Sequence, residues 1–136
     1  MHPMLKNVIA VVLGLVIGGL LNGGLIQLGP MLIPPPDGVD FTTEEGLKTS
    51  MHLMQPRHFI FPFLAHALGT LAGAFIAAKI AASHQLRLAM VVGIVFFIGG
   101  SMMVAMLSAP MWFNITDLAL AYLPMAYIGW KLAGKK

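Results

Sequence analysis

The sequence predicts an all-α fold, an integral membrane four-helix bundle with a short amphipathic helix in the outer loop between spans 1 and 2. Two observations indicate this class. Four long apolar stretches separate the charged residues, and no Asp, Glu, Lys or Arg lies within residues 7–36, 58–78 or 88–116. A hydrocarbon core about 30 Å thick is crossed by roughly 20 apolar residues in a helix. Because lipid cannot bond to the backbone, apolar runs of this length are helices.

The composition supports a membrane protein and excludes several other classes. Hydrophobic residues make up 58% of the 136 residues and charged residues only 10%, whereas a soluble domain carries about a quarter charged residues. The four apolar stretches use most of the chain, so we expect a single transmembrane domain over residues 1–136. Cysteine is absent, which removes disulfides, thiolate metal sites and redox motifs from consideration.

Each apolar stretch predicts one span. The first run is longer than a signal-peptide core of about 7–15 residues, so we expect it to be retained. In the last stretch, Pro124 cannot donate a hydrogen bond to the carbonyl of Leu120 and should kink the helix. The predicted spans cover residues 7–29, 58–81, 86–108 and 112–132, and the outer loop covers 30–57.

The charge distribution predicts the orientation, because Lys and Arg prefer the cytoplasmic side of a membrane. One side of the predicted bundle carries Lys6, Lys79, His84, Arg87, Lys131, Lys135 and Lys136. The other side carries Asp37, Asp40, Glu44, Glu45 and Asp117, together with Lys48 and Arg57. Both termini are therefore predicted to be cytoplasmic. Basic residues at membrane edges indicate anionic lipid, rather than a nucleic acid, as the partner.

The outer loop predicts a stiff arm and a short helix. Three prolines at 34–36 favour polyproline geometry, and Asp37-Gly38 is typical of a turn. Thr42 and Glu45 have the spacing of a helix capping box, with Thr42 as the cap. Apolar residues follow at helical spacing at Leu47, Met51 and Met54. We expect an amphipathic helix on the outer surface that either shields the loop backbone or acts as a lid, with Glu45 and His52 as possible lid contacts.

Small residues four apart predict close helix packing in the first two spans. Such residues let helix backbones approach one another in lipid, where no hydrophobic effect drives association. Packing within the subunit and a homo-oligomeric interface, with a dimer favoured, both remain open. The residues concerned are Gly14, Gly18, Gly19, Gly23, Gly69 and Gly73.

One polar residue in each span lies at a similar depth. Counted at about 1.5 Å per residue from the outer end of each helix, Asn22, His66, Ser101 and Asp117 fall roughly 8–12 Å inside the boundary. Polar groups facing lipid would each cost several kcal/mol, so convergence within the bundle is favoured. We expect these four residues to form a polar layer, with the neighbouring Asn114 and Thr70.

Several roles are open for this layer. A carboxylate beside His66 favours the charged imidazole, so His66 and Asp117 could relay protons or hold a small polar solute or ion. Alternatively, the polar side chains could serve only as interhelical hydrogen bonds, worth about 0.6 kcal/mol each. Asn114 could also be a helix cap, with Asp117 in the first turn. A placement at the lipid edge is the remaining possibility.

Metal binding and enzyme activity have weaker support. His52 and His58 lie near the outer edge, but the ligand pairs at helical spacing that are typical of zinc sites do not occur. The sequence also contains no Ser-His-Asp order, phosphate-binding loop or paired carboxylates. We therefore expect no cofactor and no catalytic residue, and we keep His52 and His58 only as weak metal candidates.

Four segments of the chain resemble small four-span proteins of bacterial inner membranes to which no activity is assigned. The resemblance implies a bacterial inner-membrane location and carries over no binding residues. It rests on Ile33-Pro34-Pro35-Pro36-x-Gly38-Val39-Asp40, Met51-His52-Leu53, Pro56-x-His58-Phe59 and Phe63-Leu64-Ala65-His66-Ala67-Leu68-Gly69-Thr70.

Together these patterns favour a non-enzymatic membrane protein whose outward-facing polar layer handles a small solute, an ion or a proton, as a small transporter or a channel subunit would. The main alternative is an accessory protein whose spans pack with partner subunits. A metal-binding protein or enzyme acting at the outer face is the third hypothesis.

Overall fold

The computed structural model describes residues 1–40 and 42–134. Within these ranges the chain contains helices, turns and loops and no β-strand, so the all-α prediction is confirmed. Single 3-10 turns at Met51–Leu53 and Pro56–Phe59 lie between the second and third helices. The α-helices are α1 (Pro3–Leu32), α2 (Glu44–Ser50), α3 (Ile60–Ile80), α4 (Gln85–Met106), α5 (Met111–Leu120) and α6 (Leu123–Ala133).

Three helical segments of the described chain are long and apolar enough to cross a membrane: Pro3–Leu32, Pro56–Ile80 and Gln85–Met106. The first of them is longer than predicted, because α1 continues past Pro30 to Leu32. A proline this close to the end of a helix removes only one hydrogen bond, the one to the Ile26 carbonyl. The Ile33 N–H then closes the last turn on the Gly29 carbonyl at 2.8 Å.

The fourth predicted span is not one kinked helix, and four membrane-crossing helices are therefore not seen. The chain leaves the helix at Ala121 and Tyr122, and a new helix, α6, begins at Leu123. Pro124 occupies the second position of α6, where its missing N–H would have no partner in any case. Because a proline ring also clashes with the carbonyl four residues earlier, ending α5 avoids the strain of a continuous helix.

The third helix, α3, is central and contacts α1, α4, α5 and α6. Its contact with α1 depends on glycine. A Cβ atom on Gly14 would lie 2.5 Å from the Gly73 carbonyl oxygen, and one on Gly18 would lie 2.5 Å from the Gly69 oxygen. These four glycines therefore pack within the subunit. Gly19 behaves differently, because its Cβ would meet nothing within 4 Å, and the same holds for Gly23.

Two contacts identify one end of the bundle. The Asn7 side-chain oxygen of α1 accepts from the Ala82 N–H at 2.8 Å, in the turn between α3 and α4. Lys79, at the end of α3, donates to the Ala133 carbonyl of α6 at 3.3 Å. We call this end the termini end. The opposite end, which carries residues 33–40 and 42–59 and the α4–α5 connection, is the loop end.

The termini half of the bundle is filled by small side chains. Residues there with no solvent exposure include Ala10, Ala74, Ala77, Ala78, Ala89, Val92 and Ala126. A Cβ on Gly93 would lie 2.6 Å from the Ala126 Cβ, and one on Gly129 would lie 2.5 Å from the Leu71 carbonyl. Helix backbones therefore approach closely throughout this half, as small residues permit.

At the loop end, the predicted short helix is present, but its cap is different. Thr43 caps α2 by accepting from the Gly46 N–H at 2.9 Å, so the proposed box of Thr42 and Glu45 is wrong. The Thr42 hydroxyl instead donates to the Asp40 carboxylate. The predicted apolar face is confirmed, since Leu47, Met51 and Met54 pack with Phe59 and Phe113.

Candidate functional site

The centre of the candidate site is a pair formed by His66 and Asp117. His66 lies in the second turn of α3 and Asp117 in the second turn of α5. The His66 Nδ1 lies 2.8 Å from Asp117 Oδ1 and 2.9 Å from Oδ2. Because an ionised carboxylate can only accept hydrogen bonds, Nδ1 carries a proton and donates. The predicted meeting of these two side chains is confirmed.

Tyr122 completes the site, and the sequence analysis did not find it. Its hydroxyl donates to Asp117 Oδ2 at 3.1 Å, and its ring stacks on the His66 imidazole at 5.7 Å between centroids. Gly100 of α4 makes room for this residue, because any Cβ there would overlap the Tyr122 hydroxyl. The available signal was Pro124, since the break before this proline turns Tyr122 into the bundle.

The three side chains differ in exposure. Asp117 is 3% exposed and Tyr122 2%, whereas the His66 side chain keeps 19% of its surface exposed. The other imidazole nitrogen, Nε2, has no hydrogen-bond partner among residues 1–40 and 42–134. With Nδ1 protonated, the neutral ring presents Nε2 as a hydrogen-bond acceptor or base. Asp117 orients His66, and His66 is the group that a ligand can reach.

An inner cavity of about 320 Å³ lies beside His66, between α1, α3 and α4. Asn22 and Thr70 line it, as do Phe96, Gly99, Gly100, Met103 and Tyr122. The Asn22 Oδ1 and Thr70 Oγ1 atoms are fully buried, and neither has a partner in the described part of the chain. A buried polar atom without a partner costs about 1–3 kcal/mol, so both atoms favour a polar occupant of this cavity.

A second, outer cavity of about 500 Å³ connects the pair with the loop end. It shares His66, Gly100 and Met103 with the inner cavity, and it also includes Asp117. Its far walls come from the loop and the ends of the helices, including Ile33, Pro35, Leu47, Met51, Phe59 and Phe113. His66 therefore lies between the two cavities and is the polar group common to both.

Toward the termini end, the path closes. The innermost polar residue of the cavity is Thr70, and the next turn of α3 contains Gly73 and Ala74, which are both buried. Gly73 is in backbone contact with Gly14 of α1. The packing of helix on helix here leaves no room for a side chain, and therefore none for a solute. The cavity is therefore closed toward the termini end, whereas Gly99 and Met103 on its α4 wall are exposed.

In the described part of the chain, Ser101 and Asn114 of the predicted polar layer are not hydrogen-bonded to His66 or Asp117. Ser101 donates to the Phe97 carbonyl of its own helix at 2.8 Å and lines neither cavity. Such bonding to the preceding turn satisfies a hydroxyl without a second helix. Asn114 lines the outer cavity and donates to the Ala109 carbonyl at 3.3 Å. It is not a helix cap, because α5 already begins at Met111 after Pro110.

The predicted lid and metal residues also have other positions. Glu45 and His52 are exposed and line neither cavity. His58 is buried, its Nδ1 accepting from the Gln55 N–H at 2.9 Å and its Nε2 donating to the Pro34 carbonyl at 3.0 Å. With both nitrogens engaged, His58 has none available for a metal. Among residues 1–40 and 42–134, no group of three or more His, Asp or Glu side chains could hold a metal ion.

The chain was compared with protein-family models, with curated proteins and with solved structures, and none of them matches it.

Proposed function

We propose that this chain is a non-enzymatic, four-span protein of a bacterial inner membrane that binds a small polar solute, an ion or a proton at His66. The fourth span would consist of α5 and α6 together. Residues 111–133 cover about 34 Å at 1.5 Å per residue, enough to cross the hydrocarbon core despite the break. An interrupted helix within a membrane is tolerated where the free backbone groups face protein or a cavity.

The proposed orientation places the loop end outside and both termini in the cytoplasm. Lys6, Lys79 and Arg87 lie at the termini end, whereas Asp37, Asp40 and Glu44 lie at the loop end. Because cytoplasmic edges of membrane proteins are enriched in Lys and Arg, this distribution supports cytoplasmic termini. The outer cavity would then open toward the periplasm.

The observation that carries the proposal is the position of His66 between two cavities, oriented by Asp117 and left with a free Nε2. Ionisable residues within membrane spans are costly and mark solute or proton pathways. A purely structural pair would be surrounded by packed side chains. Here the pair instead borders about 320 Å³ of space on one side and about 500 Å³ on the other.

The closed termini half supports a transporter in an outward-facing state over an open channel. A channel needs a continuous path, whereas in the termini half α1 and α3 are in backbone contact and buried alanines such as Ala74, Ala78 and Ala89 fill the space between the other helices. Transporter sites are reached from one side at a time, with the other side sealed by packed helices. A transporter subunit therefore fits the geometry best.

An accessory role that depends on assembly is the second candidate, and one observation favours it. Gly19 and Gly23 lie on α1 with open space in front of them, so another helix could approach there. We propose self-association through this face, with a dimer favoured, alongside the binding function.

The absence of cysteine from the sequence allows a direct test of the binding function. Met103 lines both cavities, whereas Ala77 has no solvent exposure. In cells whose outer membrane is made permeable, a membrane-impermeant thiol reagent should modify Met103→Cys at least tenfold faster than Ala77→Cys. Equal protection of both cysteines would mean that the cavity is closed to the outside, and the proposed function would fail.

A further inference from the structure

The charges around the site determine what kind of ligand it can hold. Asp117 is the one carboxylate among the described residues that line either cavity. The titratable or charged groups that face it are His66, Tyr122 and, across the outer cavity, His58 and Arg57. Arg57 is exposed, and His58 has both nitrogens in hydrogen bonds. Among the described residues, His66 is therefore the one side chain in contact with Asp117 that can carry a balancing positive charge.

This arrangement leaves the site with two electrostatic states. When His66 holds a second proton, the pair is neutral overall. When His66 is neutral, the buried carboxylate keeps a net charge of −1 in a water-poor surrounding, which is costly without a counter-charge. A cation in the neighbouring cavity would supply that charge. The proton and a cationic ligand are thus alternative partners for the same carboxylate.

The lining of the inner cavity fits a cation with an apolar body. The residues that line it carry three acceptor atoms, His66 Nε2, Asn22 Oδ1 and Thr70 Oγ1, and the last two are fully buried without a partner in the described part of the chain. The remaining walls include the aromatic rings of Phe96 and Tyr122. Ammonium groups donate to such acceptors and bind the faces of aromatic rings. No Lys or Arg is among the lining residues.

We infer that the inner cavity binds a small organic cation, a protonated amine with a compact apolar body, and that each bound cation displaces one proton from His66. The inference rests on the proposed function, because it specifies the ligand of the same site. The ammonium group lies next to His66 Nε2 and Thr70, and the apolar body contacts Phe96 and Met103. The displaced proton leaves His66 for the solvent through the outer cavity.

The volume sets the size of the ligand. A cavity of about 320 Å³ equals roughly ten water volumes at about 30 Å³ each. A cation with one six-membered ring, such as benzylammonium, fits this space. Benzyl alcohol and benzoate have nearly the same shape and carry no charge or a negative charge, so the three compounds separate the effect of charge from that of size.

The test measures binding of these three compounds to the purified full chain in detergent, by titration calorimetry in two buffers of different ionisation enthalpy. Benzylammonium is expected to bind at least tenfold tighter than benzyl alcohol, and benzoate weakest. Over the pH range in which His66 is protonated, about one proton is released per cation, and the dissociation constant rises about tenfold for each unit that the pH falls.

Two variants locate the effect. Asp117→Asn is expected to remove the preference for benzylammonium over benzyl alcohol. Thr70→Val keeps the side-chain shape and removes the hydroxyl, and it should weaken benzylammonium binding about fivefold while leaving proton release intact. Thr116→Val is the matched control, because the Thr116 hydroxyl is exposed and donates to the Trp112 carbonyl of its own helix. It should leave binding unchanged.

A second measurement needs no ligand. Gly99 lines the inner cavity, and a Cβ there meets nothing within 4 Å, so Gly99→Cys is accommodated. A cationic thiol reagent should modify this cysteine at least tenfold faster than an anionic reagent of the same size. In the double variant with Asp117→Asn, the ratio should fall toward one.

The outcomes separate the inference from the proposed function. If benzyl alcohol binds as tightly as benzylammonium, if benzoate binds tightest, or if none of the three binds, the inference is overturned. Cation binding without proton release overturns the exchange at His66. The accessibility of Met103→Cys decides the proposed function independently, so a site that is open to the outside but indifferent to charge would refute the inference alone.

Discussion

The two halves of this bundle share α1, α3 and α4 but pack in different ways. In the termini half, α1 and α3 are in backbone contact at Gly14 and Gly73, and alanines fill the remaining space. In the loop half, larger side chains, among them Phe59, Phe96, Phe113 and Met103, line two cavities around His66. The comparison shows that the size of the residues at each helix contact decides where the bundle is sealed and where it can hold a ligand.

The polar residues follow the same division. Asp117 and His66 form their pair in the loop half, where the larger spacing gives their side chains room. A pair of this kind in the termini half would meet helix backbones at van der Waals distance. The termini half therefore stabilises the fold, and the loop half contains the candidate site.

The largest expected effect on stability comes from disrupting the α1–α3 contact in the termini half. A Cβ on Gly73 would lie 2.6 Å from the Gly14 carbonyl oxygen, and a helix backbone cannot yield as a flexible side chain can. Gly73→Val should lower the free energy of unfolding by about 3 kcal/mol, the upper range for overpacking. The measurement is reversible unfolding in mixed detergent micelles. Gly99→Val is the matched control, because it adds the same atoms to α4 at a position where a Cβ meets nothing within 4 Å, away from the α1 face of the proposed self-association. An equal loss in both variants would contradict the proposed packing.

The next largest effect concerns the two hydrogen bonds of His58 in the loop half. His58→Ala removes two hydrogen bonds and leaves the Gln55 N–H and the Pro34 carbonyl without a partner. We expect a loss of about 2 kcal/mol in the free energy of unfolding, together with faster thiol modification of Val104→Cys in the outer cavity.

His52→Ala tests whether that loss is specific to the buried histidine. His52 is exposed, and substitutions of this kind usually change stability by less than about 0.5 kcal/mol. If the two alanine variants behaved alike, His58 would not hold the loop.

A smaller effect is expected at Tyr122, whose hydroxyl donates to Asp117. Tyr122→Phe retains the ring stacked on His66 and removes this one hydrogen bond, so the free energy of unfolding should fall by about 1 kcal/mol. Tyr127→Phe makes the same chemical change at an exposed ring and should be neutral. A neutral Tyr122→Phe would show that Asp117 needs no second donor.

The smallest effect is a pH dependence at the loop. Hydrogen bonds from the Thr42 side chain and backbone lower the pKa of Asp40 below its ordinary value of 3.8. Because the folded-state pKa is depressed, these bonds stabilise the loop above that pH, and the contribution is lost as the pH falls through the lower, folded-state pKa.

Carboxyl NMR on the labelled chain checks this. Thr42→Val should raise the pKa of Asp40 toward 3.8, whereas Thr49→Val, whose hydroxyl bonds to the Gly46 carbonyl, should not move it. An unchanged Asp40 titration in Thr42→Val would show that the Asp40–Thr42 contact does not persist in solution.

Part of the site could be predicted because the depth of a residue in the membrane follows from its position along a helix. Counting residues from the ends of the apolar stretches placed His66 and Asp117 at similar depth, and the cost of exposing charge to lipid favours their meeting. The same counting included Ser101, which instead bonds to its own helix. Depth alone does not distinguish these cases, because the rotation of a helix about its axis and the choice of rotamer decide where a side chain ends.

Tyr122 is a site residue that the sequence pattern could not identify. As an aromatic residue within an apolar stretch, it has the pattern of a lipid-facing or interfacial side chain. Its role depends on the break before Pro124 and on the absence of a side chain at Gly100. These two features are 24 positions apart, and no local pattern connects them.

The sequence by itself determined that this chain is helical and has stretches able to cross a membrane, because the length of an apolar run and the need to satisfy backbone hydrogen bonds are local properties. Only the tertiary structure decided that α1 and α3 join through glycine, that the last stretch divides into two helices, and that His66 lies between two cavities. Those outcomes depend on how residues distant in sequence fit together at ångström distances, which composition and spacing do not encode.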